Sequence, residues 1–149
     1  MKEKEINLNV NITLTRIDKN SRKIIDTLEL HNLVTTVGLE QVNDFLAGLA
    51  PTSSTHIAIG EGTTAETVGD TALETEQDRQ SATITEPSNV STKYEHEFTF
   101  GSGISFAITE LGLFNASSGG TMFNRATFSA RNVDDTISLI ATVIVTVSQ

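Results

Sequence analysis

The side chains able to move a proton, attack a centre or hold an ion are sparsely arranged in this sequence. Three histidines, His31, His56 and His96, lie far apart. None stands in a His-x-x-x-His spacing beside a carboxylate, the pattern that puts two imidazoles on one helix face for a metal. There is no cysteine, which excludes a thiolate nucleophile, a disulfide, and a cysteine-ligated zinc or iron–sulfur centre. A nucleophile elbow needs Gly-x-Ser-x-Gly, and Gly101-Ser102-Gly103 misses it and reads as a strand break. Gly60-Glu61-Gly62-Thr63-Thr64 has the glycines of a phosphate cradle, but no lysine follows them and Glu61 would repel the phosphate. The acidic stretch 60–78, with Asp70, Glu74, Glu76 and Asp78, supplies oxygen ligands for Ca²⁺. It lacks the Asp-x-Asp-x-Asp-Gly periodicity, so a solvated acidic loop is the simpler reading. No carboxylate pair stands in a defined glycosidase motif. With no Trp and one Tyr, and with Phe mostly at core-facing positions, no ring platform for a sugar announces itself. The expectation is a non-enzymatic protein with no cofactor and no metal.

Length and charge narrow the class. A chain of 149 residues suits a single domain that buries roughly 68–70% of its unfolded surface. Ten Lys+Arg against nineteen Asp+Glu give a net charge of −9, so a phosphate backbone would meet repulsion over most of the surface. No apolar run is long enough to span a membrane, and the opening Met-Lys-Glu-Lys-Glu lacks a signal peptide's apolar region. Neither nucleic acid nor membrane is an expected partner. The charge is segregated: Lys2, Lys4, Arg16, Lys19, Arg22 and Lys23 come first, and no Lys or Arg then occurs until Arg79. Either the acidic middle is a solvated face, or the basic end of one copy meets the acidic middle of another copy or a neighbour.

Hydrophobic periodicity supplies the elements. Ile6, Leu8, Val10, Ile12 and Leu14 alternate with polar residues, the period of a half-buried strand. Asp18-Lys19-Asn20-Ser21 is turn chemistry, and Arg22 to Leu30 reads as the returning strand. Leu39, Val42, Leu46 and Leu49, with Phe45, fall at helical spacing opposite Glu40, Gln41, Asn43 and Asp44. They predict one amphipathic helix over 36–49, capped by Thr35 or Thr36 and ended by Gly48 and Pro51. Strands are expected at His56–Ile59, Gln80–Thr85, from Thr92 to Phe100, Ile104–Asn115, Thr121–Ala130 and from Ile137 to Val147. Leu73–Arg79 reads as a helical turn or an extended arm. In the last strand Ile140 and Ile144 add apolar residues to the second face, which predicts cover on both sides. About seven to nine short strands with one helix make this mainly β, an antiparallel β-sandwich of jelly-roll or Ig-like type. The domain is 1–149, with 1–30 an N-terminal hairpin or an arm that adds to a neighbour's sheet.

Candidate contact residues follow. Arg79 stands beside Glu74, Glu76 and Asp78 and is either a surface ion pair or an interface anchor. Glu61, Asp70 and Glu76 mark the acidic stretch as a contact surface, and Ile6, Leu8 and Val10 mark the basic N-terminal strand as another. The loop Gly60–Ala72, long and polar, is expected to lie at the surface, so shortening it should leave thermal stability nearly intact and weaken assembly.

Several blocks carry a family resemblance. They are Asn32-Leu33-Val34-Thr35-Thr36-Val37-Gly38, His56-Ile57-Ala58-Ile59-Gly60-Glu61-Gly62-Thr63-Thr64-Ala65, and Gly69-Asp70-Thr71-Ala72-Leu73-Glu74-Thr75-Glu76. Two more are Thr109-Glu110-Leu111-Gly112-Leu113-Phe114-Asn115-Ala116 and Ser118-Gly119-Gly120-Thr121-Met122-Phe123-Asn124-Arg125-Ala126. From about Leu30 to Val147 the chain resembles small tailed-bacteriophage structural proteins, often labelled tail-fibre or virion proteins, and Glu110–Asn115 is the most specific block. The resemblance implies a building block with no catalytic residues, located in the virion at the tail or capsid surface. The expected role is a tail accessory, meaning a fibre, baseplate or adaptor component. A capsid decoration protein is the alternative, and a carbohydrate-binding adhesin on a host surface glycan the third. Expected partners are other virion proteins and the chain itself, as a homo-oligomer with a trimer the favoured state.

Overall fold

The computed structural model describes residues 4–149; Lys2 of the basic N-terminal run lies outside them. Nine strands and one helix follow in the order β1 (Asn7–Asp18), β2 (Ile24–Asn32), α1 (Thr36–Leu46), β3 (His56–Gly60), β4 (Glu76–Ser81), β5 (Thr83–Ser88), β6 (Ser91–Phe98), β7 (Ser105–Phe114), β8 (Met122–Asp134) and β9 (Ile137–Ser148). They form two antiparallel sheets, β2-β1-β9-β6-β5 and β4-β3-β7-β8, packed face to face as a β-sandwich.

The alternating strands bury the faces their periodicity predicts. Val10, Ile12 and Leu14 of β1 and Leu139, Ala141 and Val143 of β9 meet Ile57, Ile59, Leu111 and Leu113 of the opposite sheet. β1 is hydrogen-bonded along its length to β9, from Asn7↔Ser148 to Asp18↔Ile137, and to β2 from Val10↔Asn32 to Ile17↔Ile24. Both edges of β1 are thus occupied within its own sheet, and the returning strand β2 forms the edge of that sheet. Arginines close one side of the sandwich: Arg16 grips Asp26 of its own sheet with two hydrogen bonds, 2.9 and 2.5 Å, and reaches across to the Asn132 carbonyl at 2.9 Å, while Arg131 of β8 reaches back to Asp26 at 3.4 Å. The other side is closed covalently, since the chain leaves β4 in one sheet and enters β5 in the other across Ala82.

Several local expectations change. Leu73–Arg79 divides: Leu73 is buried, and the extended reading holds from Glu76, where β4 begins. The single strand expected over Gln80–Thr85 is two short ones, because Ala82 marks the passage between sheets. Pro87 lies within β5, an edge strand, where its missing N–H removes no ladder bond. Ile140 and Ile144 remain half-exposed, so the outer face of β9 is not covered within the chain; an antiparallel sheet needs only one dry face.

The helix shows the largest departure. It ends at Leu46, with Ala47 as C-cap and Gly48 left-handed (φ 72°) beyond it, and Thr35 caps its start by accepting from the Gly38 N–H. Its orientation departs from the amphipathic expectation, although Val42 faces the core and Glu40 and Asn43 face solvent as expected. Gly38 and Gln41 are buried, while Leu39, Phe45, Leu46 and Leu49 are exposed. Two close contacts impose this. Gly38 lies against the Phe123 carbonyl, where a Cβ would collide, and Gln41 donates its amide to the Thr52 carbonyl. The helix therefore presses Gly38 onto β8 and ties Gln41 to the loop that follows it; Val42 still packs against the core, but Leu39 and Leu46 turn outward.

Candidate functional site

One group of charged residues gathers on the face of the β3–β7 sheet that turns away from the core. In β7, Leu111 and Leu113 point inward, so Glu110 and Gly112 point the other way; Arg125 of β8 pairs with Gly112 and so stands diagonally beside Glu110. Loop 61–75 folds over this pair. Glu110, fully buried, accepts from the backbone N–H groups of Gly62 (2.9 Å) and Thr75 (2.7 Å) on Oε1, and from Glu74 N–H (3.0 Å) and Arg125 Nε (2.9 Å) on Oε2. Arg125 extends one arm to Asp70 Oδ2 at 2.9 Å and the other to the Thr64 carbonyl at 3.0 Å. A Cβ on Gly62 would stand 2.5 Å from the Glu110 carboxylate. The Gly60-Glu61-Gly62 turn thus gives one N–H, that of Gly62, to an anion cradle completed by Glu74, Thr75 and Arg125, and the anion is the chain's own glutamate.

The electrostatics follow from that closure. Burial favours the neutral form of Arg125, but Asp70 and Glu110 outweigh it and raise its pKa. Burial pushes Asp70 up; the Thr67 N–H and hydroxyl together with Arg125 more than offset this and hold it below its ordinary value. Glu74 is lowered by the hydroxyl and N–H of Thr64. Among the described residues, no three His, Asp or Glu side chains come together as a metal-ion group. The carboxylates of the acidic stretch are held by arginine, hydroxyl and amide donors.

Arg79 is engaged in the same way. Its guanidinium grips Glu76 with two hydrogen bonds, 2.9 and 2.6 Å, donates to the carbonyls of Ala116 (3.1 Å) and Gly119 (2.8 Å), and stacks 3.6 Å above the Phe114 ring. With its side chain 8% exposed, it fastens β4 to the β7–β8 turn within one chain. Glu61 accepts from Ala107 N–H (2.8 Å) and Gln77 (2.7 Å), so it too is an internal fastener. Of the N-terminal residues, Val10 is core, Leu8 lines a groove described below, and Ile6 is 75% exposed. The sequence candidates Glu61, Asp70, Glu76 and Arg79 therefore share one face and are engaged by partners within the chain, and loop 60–72 lies at the surface as expected while Gly60 and Gly62 anchor it as a structural strap. Its removal would strand Glu110 and Arg125, contrary to the expectation that shortening is harmless.

One pairing hidden in the sequence joins two histidine nitrogens to hydroxyls. Across β3 and β4, Ser81 Oγ lies 3.2 Å from His56 Nε2, and Thr55 Oγ1 lies 2.8 Å from Nδ1. A nucleophilic serine needs a carboxylate behind the imidazole to stabilise the imidazolium, and a hydroxyl carries no such charge. His96 packs edge-on against Phe98, 4.8 Å between centroids.

The second notable surface surrounds α1. One flank of the helix, Val42 and Phe45, forms with Leu8, Tyr94, Phe123 and Val145 an apolar groove of about 240 Å³ between the sheets. Burial raises the Tyr94 pKa. The opposite flank, Glu40 and Asp44, lines with Asn115 and Thr121 a smaller groove of about 140 Å³. Leu39 (52% exposed) and Leu46 (84%) form the ridge between the grooves.

Sequence reasoning missed Glu110 and Arg125 as a pair and missed the outward helix ridge. A signal for the first was present: Glu110 occupies a polar position inside an otherwise apolar run, Ile108 to Phe114. No protein-family model matches the chain, and no characterised protein matches it in sequence.

Proposed function

We propose that this chain is a non-enzymatic structural component of a tailed-phage virion, a tail accessory that works through surfaces it presents to copies of itself and to other virion proteins. The observation that carries the reading is the outward ridge of α1. Leu39 and Leu46 are 52% and 84% exposed on it, Phe45 borders it and Leu49 follows the helix, both also exposed, and a cluster of exposed apolar side chains of this kind marks an interaction site. Two further features agree with it. The internal charge pairs make a rigid block from a Thr- and Asn-rich sandwich, and the sequence blocks from Leu30 to Val147 resemble small virion proteins. No nucleic acid or membrane partner belongs to this reading; no helix among the described residues is long and apolar enough to cross a membrane.

The test is the copy number of this chain per purified virion, by quantitative mass spectrometry against the portal and major capsid proteins. A count near the portal's is expected for a tail accessory. A count tracking the major capsid protein would replace that role with capsid decoration, and absence from the virion would overturn the structural reading.

A further inference from the structure

We infer that the two ends of the sandwich are complementary, and that the Lys23–Ile24–Ile25 corner of one copy seats on the α1 ridge of a second copy, head to tail. The inference rests on the self-assembling role proposed above and names the contact that performs it.

The two surfaces lie at opposite ends of β1. Leu8, near its start, lines the groove beside Phe45, while Asp18, its last residue, leads into the turn before Lys23. Twelve residues at about 3.3 Å each separate these ends by roughly 35–40 Å, too far for one copy to close on itself.

The turn end is built to present a lysine beside two isoleucines. Arg22 adopts a left-handed backbone (φ 61°), which non-glycine residues seldom occupy, and is fixed there by two hydrogen bonds to Glu97, 2.5 and 3.0 Å. Asp18 accepts from the N–H groups of Asn20 and Ser21, and Asp134 of the neighbouring turn accepts from Thr136. Lys19 reaches the Phe100 carbonyl at 3.5 Å. Lys23 has no ion pair among the described residues and adjoins Ile24 and Ile25, which are 69% and 48% exposed. Asp135, in the β8–β9 turn, is the acid this contact must leave in solvent.

The helix end carries the matching features. Glu40 and Asp44 converge on one groove without an ion pair, and α1 contains no basic residue. The apolar groove on the other flank exceeds the roughly 150 Å³ that accommodates a benzene ring, so a branched aliphatic side chain fits it. The two grooves are about one helix diameter apart, some 10–12 Å. Adjacent residues of an extended segment point to opposite sides, so Lys23 and Ile24 straddle the ridge, Lys23 towards Glu40 and Asp44, Ile24 towards Phe45. Pairing α1 with α1 would instead oppose Glu40 and Asp44 to themselves. Each copy has one corner and one ridge, so the contact is heterologous and builds a closed ring or an open stack.

Two variants test this by sedimentation velocity, from micromolar to submillimolar concentration. The corner variant carries Lys23→Glu with Ile24→Ser, and the ridge variant Glu40→Lys with Phe45→Ser. All four positions are exposed or line a groove, and circular dichroism checks that each variant folds. The wild type is expected to self-associate, more weakly at high salt, and each variant alone to be monomeric. Mixed in equal amounts, the variants are expected to form a one-to-one dimer and nothing larger, since only one corner and one ridge remain intact. Lys23→Glu combined with Glu40→Lys in one chain should restore association lost about tenfold or more in either single reversal. A monomeric wild type, a corner variant that still assembles like the wild type, or a mixture that fails to pair overturns the contact. Virion copy number is measured separately, so loss of this contact and loss of the virion role are distinguishable.

Discussion

Replacing Glu110 with glutamine tests whether a buried carboxylate holds the strap over the outer sheet. Glutamine has nearly the same shape but one acceptor oxygen where Glu110 has two. With its oxygen at the Oε1 position it keeps the bonds from Gly62 and Thr75, and its NH₂ then confronts the Glu74 N–H and Arg125 Nε, donor against donor. Two bonds to a charged group are lost at about 1.5–3 kcal/mol each, and a buried arginine loses one of its three paired carboxylates. Breaking a buried pair from one side costs about 3–5 kcal/mol, and the two routes agree. A domain stable by roughly 5–15 kcal/mol remains folded but is seriously weakened. At about 2–4 °C per kcal/mol for a chain of this size, the melting temperature should fall by roughly 6–20 °C. Urea denaturation gives the free energy, and hydrogen exchange at Gly62, Glu74 and Thr75 reads the strap directly. Those three amides should exchange far faster in the variant. A loss below about 1 kcal/mol, with the three amides still protected, would refute the reasoning, because the strap would then be held by something other than this carboxylate.

The remaining predictions concern the same fasteners. Asp26 and Glu97 are held below their ordinary range by Arg16 and Arg22, and Asp70 is net lowered by Thr67 and Arg125 against the opposing effect of burial. Groups with depressed folded pKa values stabilise fully above their unfolded values, about 4, so stability should hold at neutral pH and fall as pH drops through the lower folded values. Asp70→Asn should flatten the acid limb in a pH series of urea midpoints. Gly62→Ala drives a methyl into Glu110 and the Glu74 Cβ and should cost about 1–3 kcal/mol, whereas Gly69→Ala, whose nearest neighbour would lie 3.9 Å away, should stay within about 0.5 kcal/mol by chemical denaturation. Arg79→Lys keeps the charge but not the fork that spans Glu76 and two carbonyls, and should lose about 1–3 kcal/mol with faster amide exchange in the β7–β8 turn.

What the sequence determined is the set of strands and their inner faces. A period of two is a property of the extended backbone, so Val10, Ile12, Leu14, Leu139, Ala141 and Val143 could be assigned to the core before any partner strand was known. The hairpin at Asp18–Ser21 and the existence of one helix capped by Thr35 were equally local, because turn and capping chemistry lie within a few residues. Tertiary structure decided which way α1 faces and what the charged loop encloses. Periodicity finds an apolar stripe on a helix but not whether a neighbouring backbone admits it. Here the Phe123 carbonyl admits only Gly38, and Thr52 captures Gln41, which turns Leu39 and Leu46 to solvent. The acidic stretch read as a solvated surface because its counter-charge, Arg125, comes from a strand 55 residues beyond Asp70. Charges distant along the chain become an ion pair only when sheet register sets Gly112 opposite Arg125 and leaves Glu110 beside it, and register is a property of paired strands that no single segment contains.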